Sequence, residues 1–167
     1  MKLRTWTIED AENLAKYANN PKVAQFLTNA FPHPYTIENA KSFIEMVSNQ
    51  NPTAIFAIDV NGEAVGSIGL HAQTDIMCKN MELGYFLGEP FWGSGITTEA
   101  VRTIVEYGFQ NFDITRIYAR PYGNNPASQK VLEKAGFTLE ARIEQNIYKN
   151  GEFLDELIYA VRKKSNK

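Results

Sequence analysis

FWGSGITTEA, residues 91–100, is the stretch on which the reading of this chain turns. Two glycines bracket Ser94, an aromatic pair precedes them, and a run able to start a helix follows, so the backbone must turn sharply before it coils. Upstream, MELGYFLG (81–88) reads as a strand. Downstream, a helix is expected from about Thr97 to Gln110, with Ala100, Ile104, Val105, Gly108 and Phe109 at helical spacing. The glycines therefore stand at a helix N-terminus. The first backbone N–H groups there lack partners and the helix end carries roughly +0.5 of an elementary charge, so phosphate is a natural guest. A plain strand-to-helix turn would use the same residues, and the loop alone leaves both readings open. The pattern GxGxxG fails because Thr98 stands where its third glycine should be, and GxxxxGK[ST] is absent.

The rest of the chain is punctuated clearly. Thr7 and Asp10 form a loose capping pair before Ile8, Ala11, Leu14, Ala15 and Ala18, and Asn20-Pro21 stops that helical pattern. FPHPY (31–35) is a loop leading to Thr36 as N-cap and to Ile37, Ala40, Phe43, Ile44 and Val47 along one helical face. AIFAIDV (54–60) and EAVGSIGLHA (63–72) flank Asn61-Gly62, the dipeptide of a type I′ hairpin turn. RIYARPY (116–122) reads as a strand and PASQKVLEKAGF (126–137) as a short helix ending at Gly136. TLEARIEQNIY (138–148) and FLDELIYAVR (153–162) form a hairpin turned by Asn150-Gly151. The order α-α-β-β-β-α-β-α-β-β predicts an α+β fold, a mixed sheet with helices packed on it. No repeat or linker divides it, so residues 1–167 are expected to form a single domain, with KKSNK as a solvated tail.

Composition narrows the function. The 167 residues are 44% hydrophobic and 12% aromatic, enough for one real core. With 17 Lys+Arg against 19 Asp+Glu the net charge is −2, so neither nucleic acid nor an anionic membrane is an expected partner. No apolar run approaches the ~18 residues of a membrane span and MKLRTWTIED has no apolar h-region, which predicts a cytoplasmic protein. Cys78 is the one cysteine, without a His or Glu pattern around it that would make it a catalytic thiol.

A second constellation follows one strand after the glycine loop. GNNPASQKVLEKAGF (123–137) sets Asn125, Ser128 and Lys130 at the start of a short helix, where Asn125 alone would be read as an N-cap. Together with FPHPY, MELGYFL, FWGSGITTEA, EYGF and the closing NGEFLDELIY, this order of motifs resembles the GNAT N-acetyltransferases, and in particular their RimJ/RimL branch, over about Lys2 to Arg162. The resemblance implies a mainly antiparallel mixed sheet flanked by helices, the acyl-CoA N-acyltransferase architecture, with acetyl-CoA as cosubstrate and no metal. The family's acyl-CoA loop, Q/R-x-x-G-x-G/A, falls on Trp92, Gly93, Ser94, Gly95, Ile96 and Thr97, whose backbone amides would hold the pyrophosphate. Trp92 replaces Gln or Arg, and Thr97 stands where Gly or Ala is usual. Tyr85, Phe86 and Leu87 would bind the pantetheine arm like an added strand, with Asn125 and Ser128 touching it from the other side. The tyrosine that many members carry seven residues beyond that asparagine is Leu132 here, so the proton for the leaving thiolate would come from Ser128 or water.

The chemistry asks for an acceptor amine stripped of its proton, and an ordinary amine has a pKa of ~10.4, or ~7.7–8.0 at an N-terminus. Glu82, in the strand that would carry the thioester, occupies the position of a general base in this branch; as a residue it is equally readable as a strand-end carboxylate paired with Lys or Arg. Phe31, His33 and Tyr35 would border the acceptor site, and His71 is the only other histidine. The expected reaction is transfer of an acetyl group to a primary amine, of a protein N-terminus or of a small molecule. A GNAT fold that binds acyl-CoA without turnover is the alternative, and self-association as a homodimer is left open.

Overall fold

The computed structural model describes residues 1–164. Ser165, Asn166 and Lys167, the end of the tail read as solvated, lie outside the described residues; Lys163 and Lys164 are exposed. Twelve regular elements appear in the order β1 (Lys2–Arg4), α1 (Ala11–Ala18), α2 (Pro21–Ala24), α3 (Ile37–Ser48), β2 (Ile55–Val60), β3 (Glu63–Ala72), β4 (Asn80–Leu87), α4 (Ile96–Asn111), β5 (Arg116–Ala119), α5 (Pro126–Lys134), β6 (Thr138–Lys149) and β7 (Glu152–Arg162). The sheet has seven strands in the order β1-β2-β3-β4-β5-β7-β6. Strands β4 and β5 pair in parallel, whereas β1–β2, β2–β3, β5–β7 and β6–β7 are antiparallel. Both Asn-Gly turns close as expected, with positive φ at Asn61, Gly62, Asn150 and Gly151.

Two compact units divide the chain, one of Met1–Gly69 with Tyr85–Ala100 and one of Leu70–Gly84 with Val101–Lys167. In the first, Leu14, Ala18, Ala40, Ile44 and Val47 line up on the inner faces of α1 and α3 and are buried with Trp6, Ile55 and Ala57. Full burial of each Leu, Ile or Val contributes roughly 1.5–3 kcal/mol, so these two helical faces hold the unit together. Ile8, which belongs to the same periodic pattern, is exposed, because Ile8–Asp10 is a 3-10 turn and α1 begins only at Ala11. Thr36 caps α3 as its sequence predicts, its Oγ1 accepting from Asn39 N at 3.2 Å. Two elements were not foreseen. Strand β1 is three residues long, and α2 starts at Pro21, where proline is tolerated at the first helical position. β1 has an energetic role all the same: Arg4 donates to Asp10 at 2.7 and 2.8 Å and to Asp59 at 2.7 Å.

Helix α4 is the crossover that joins the parallel strands β4 and β5, with Asn80 opposite Arg116, Met81 opposite Ile117 and Glu82 opposite Tyr118. Gly108 lets α4 lie close to the sheet, since a Cβ there would come within 2.6 Å of Leu70 Cδ1 and 3.1 Å of Ile117 Cδ1. Side chains alternate across each strand. Met81, Ile117, Ala119, Leu157 and Tyr159 are buried, as are Val101, Ile104 and Leu132 of α4 and α5. The opposite face of the strands carries Asn80, Glu82, Arg116, Tyr118 and Glu156. Strand β6 is an edge strand bent by register shifts at Leu139/Ala141 and Ile143/Ile147, which end its regular pairing pattern twice. Among the described residues, no helix is long and apolar enough to cross a membrane and no group of three or more His, Cys, Asp or Glu could hold a metal ion.

Candidate active site

The glycine loop is built by the first unit. Gly93 and Gly95 have φ of +73° and +83°, and Ser94 between them is not in the left-handed region. Alternation of this kind aims successive N–H groups to the same side, forming a concavity that suits an anion. The first helical hydrogen bond runs from Glu99 N to Gly95 O, so the N–H groups of Ile96, Thr97 and Thr98 precede it. A phosphate-bearing cosubstrate fits this backbone: the donors are present, and a Cβ at Gly93 or Gly95 would meet nothing within 4 Å. The loop is held from behind. Glu89 accepts from Asn20 Nδ2 at 2.8 Å and pairs with Lys22, Phe91 sets an edge against Tyr17 at 5.5 Å, and Ser94 Oγ donates to Phe91 O at 2.5 Å. Trp92 donates its Nε1–H to Leu87 O at 2.7 Å while its indole stays 45% exposed. That bond ties the loop to the strand segment Tyr85–Leu87, so the structure brings those two predicted parts together. The same segment meets the acceptor-loop aromatics, with Phe31 5.6 Å from Phe86 and 4.9 Å from Tyr35. Burial pushes the Tyr35 phenol up to about 12. His33 is exposed, and Trp6 is buried edge-on to Phe43 in the core.

The second unit holds the predicted catalytic side chains. Asn125 caps α5, its Oδ1 accepting from Ser128 N at 3.1 Å, so these two residues are fixed to one another. Leu132 is fully buried and supplies no proton. Glu82 is engaged by Arg120, with Nε donating to Oε1 at 2.9 Å and Nη2 to Oε2 at 3.1 Å, while the Tyr118 hydroxyl lies 3.4 Å from Oε2. Burial and then the Glu82 charge raise the Tyr118 pKa, so it stays a phenol. Arg120 also donates from Nη1 to the buried Glu156 at 3.2 Å. The His71 imidazole lies beside Gly84, where a Cβ would be 3.5 Å from Nε2, two residues along β4 from Glu82. Arg120, Tyr118, Glu156 and the position of His71 were not picked out from the sequence. The signal was present in RIYAR, where Arg116, Tyr118 and Arg120 recur at period two and so share one face of a strand.

Comparison with known proteins gives the family. The acetyltransferase (GNAT) domain matches residues 1–138. The uncharacterized N-acetyltransferase p20 of Bacillus licheniformis is 28% identical over 168 residues, spanning 97% of this chain and 92% of that protein. The ribosomal-protein-serine acetyltransferase of Escherichia coli is 27% identical over 115 residues, 69% of this chain and 64% of that protein. Among solved structures, the microcin C7 self-immunity acetyltransferase MccE, in complex with acetyl-CoA and AMP, superposes with a TM-score of 0.81 at 26% identity, covering 96% of this chain and 91% of that one. The chain belongs to the GNAT acetyltransferase family and is an N-acetyltransferase similar to the RimJ/RimL branch.

Proposed function

We propose that the protein transfers the acetyl group of acetyl-CoA directly to a primary amine bound with it in a ternary complex, the amine being a protein N-terminus or a small molecule. The reading rests above all on the Gly93–Gly95 backbone, whose alternating φ and unpaired helix N–H groups match what a pyrophosphate needs. In this reading the amides of residues 93–97 hold the phosphates, the backbone of Tyr85, Phe86 and Leu87 lines the pantetheine arm, and Asn125 and Ser128 contact it as well. The cosubstrate brings an activated thioester carbonyl. Glu82 takes the proton of the acceptor ammonium, directly or through one water, and a backbone N–H of the strand stabilises the oxyanion. Ser128 or water returns a proton to the leaving thiolate. Phe31, His33 and Tyr35 border the acceptor. The cytoplasm is the compartment this reading assigns, and no metal takes part.

The acceptor class is supported by the kinship with a ribosomal-protein-serine acetyltransferase and by nothing finer. The test of the base is Glu82→Gln assayed against pH. Acetyl-CoA affinity should persist while kcat/KM at pH 7 falls by about 10²–10⁴, with the deficit narrowing as pH rises and the amine deprotonates unaided. Wild-type kcat/KM in that variant at pH 7 removes Glu82 from the mechanism.

A further inference from the structure

We infer that Arg120 is the positioning residue of the proton-accepting carboxylate, an inference that rests on the reading of Glu82 as the base. None of the sequence motifs singles out Arg120; its geometry does. Its planar fork holds both oxygens of Glu82, at 2.9 and 3.1 Å, which fixes the rotation of the carboxylate as a single contact could not. A carboxylate offers about four lone-pair sites, so the grip leaves room to accept from an amine or a water.

Arg120 is itself held. Its remaining Nη1 donates to Glu156 Oε1 at 3.2 Å, and Glu156 Oε2 accepts from Asn146 Nδ2 at 2.8 Å. Asn146 lies on β6, Glu156 on β7, Arg120 just beyond β5 and Glu82 on β4, so one chain of hydrogen bonds joins four segments of the second unit to one carboxylate. The Arg120 side chain is 45% exposed, against 10% for Glu156. A guanidinium that wet adds little to stability by pairing. What the arrangement does contribute is geometry, together with a cation set between two carboxylates. Hydrogen bonding to Glu82 raises the Arg120 pKa against the effect of burial, so that cation persists at every working pH.

Loss of the guanidinium would leave Glu82 and Glu156 without a charge between them. The Tyr118 phenol of β5 also reaches Glu82, His71 of β3 lies beside Gly84 two residues along β4, and Arg116 is stacked on the Tyr118 ring at 4.7 Å and paired to Glu140 of β6. None of these replaces a cation gripping both Glu82 oxygens. In Arg120→Gln, kcat should fall by about 10–100-fold from misplacement of the base. The deficit should narrow as pH rises, because a misplaced base matters less once the amine deprotonates unaided. KM for acetyl-CoA should not change. Arg120→Lys restores the charge without the fork, so it should recover only part of kcat.

The experiment is a pH–rate profile of Arg120→Gln, Arg120→Lys, Glu82→Gln and the double variant Glu82→Gln/Arg120→Gln, each checked for a cooperative urea transition. A kcat deficit in Arg120→Gln that narrows as pH rises and is partly rescued by lysine, with the double variant no slower than Glu82→Gln alone, supports the inference. An Arg120→Gln enzyme that melts lower yet keeps the wild-type kcat and profile overturns it, while an impaired Glu82→Gln leaves the base reading standing. Losses that add in the double variant also overturn it, since Arg120 would then act through something other than Glu82. A Glu82→Gln enzyme of wild-type rate overturns both.

Discussion

Gly95→Ala separates the backbone argument from every other account of the loop. Gly95 has φ of +83°, and a Cβ built there would meet nothing within 4 Å, so alanine introduces no clash with a neighbour. Its whole cost is conformational, about 1–2 kcal/mol for holding an L-residue in the left-handed region. That strain has two outlets. If the loop keeps its shape, the protein loses up to that much stability and binds acetyl-CoA as before; if the loop relaxes, the N–H groups of Ile96 and Thr97 lose their aim and affinity falls by about 5–30-fold, the same energy expressed as binding. The two effects therefore trade against each other within one total. Calorimetric titration with acetyl-CoA and urea unfolding of the free protein measure the two parts. Gly95→Val should do worse on both, since a β-branched residue tolerates positive φ least. An alanine variant with wild-type stability and wild-type affinity would refute the reasoning, because the backbone strain would then have gone nowhere.

Two further outcomes follow from the same structure. Acetyl-CoA at 100 times its dissociation constant should stabilise the protein by ~2.7 kcal/mol, a rise in Tm of about 5–11 °C by thermal shift for a chain of this size; no rise at millimolar acetyl-CoA would remove the phosphate reading of the loop. Arg4→Ala should cost about 3 kcal/mol in urea unfolding at pH 7, since it strands two buried carboxylates. Burial alone would raise Asp10 and Asp59, but the Arg4 hydrogen bonds and charge outweigh it and both lie below the usual carboxylate range. Their stabilisation is thus present above the unfolded value of ~3.9 and lost as pH falls through the lower folded values, so the wild type should lose stability steeply below about pH 4 and the variant should show a shallower fall.

Much of the fold is legible because its punctuation is local. Asn61-Gly62 and Asn150-Gly151 dictate their hairpins through positive φ, and Thr36 dictates the start of α3 through one side-chain acceptor. The loop at 91–100 is legible for the same reason, its glycines being required by conformations only glycine adopts easily. What local signals miss is what long-range pairing decides. Strand β1 has three residues and exists because β2 pairs with it, Lys2 to Asp59 and Arg4 to Ala57. Pro21 reads as a stop after α1, yet it also opens α2, where Lys22 and Asn20 reach Glu89 and brace the loop. The bulges of β6 carry no Gly or Pro to mark them, although Gln145 takes a φ of +49° at the second. In the site, Glu82 could be singled out but not its partner Arg120, 38 positions away, nor Glu156, 74 positions away, which holds Arg120 in turn only once β5 and β7 are in register.

Whether the protein turns over is tested most directly by incubating it with acetyl-CoA and a mixed pool of N-terminal peptides and small amines while following release of free coenzyme A thiol. The account predicts amine-dependent thiol release, a mass increase of one acetyl group on at least one amine, and loss of both in Glu82→Gln. Acetyl-CoA that binds and stabilises the protein without any amine-dependent thiol appearing would contradict it, and would make this a GNAT fold that holds an acyl-CoA without using it.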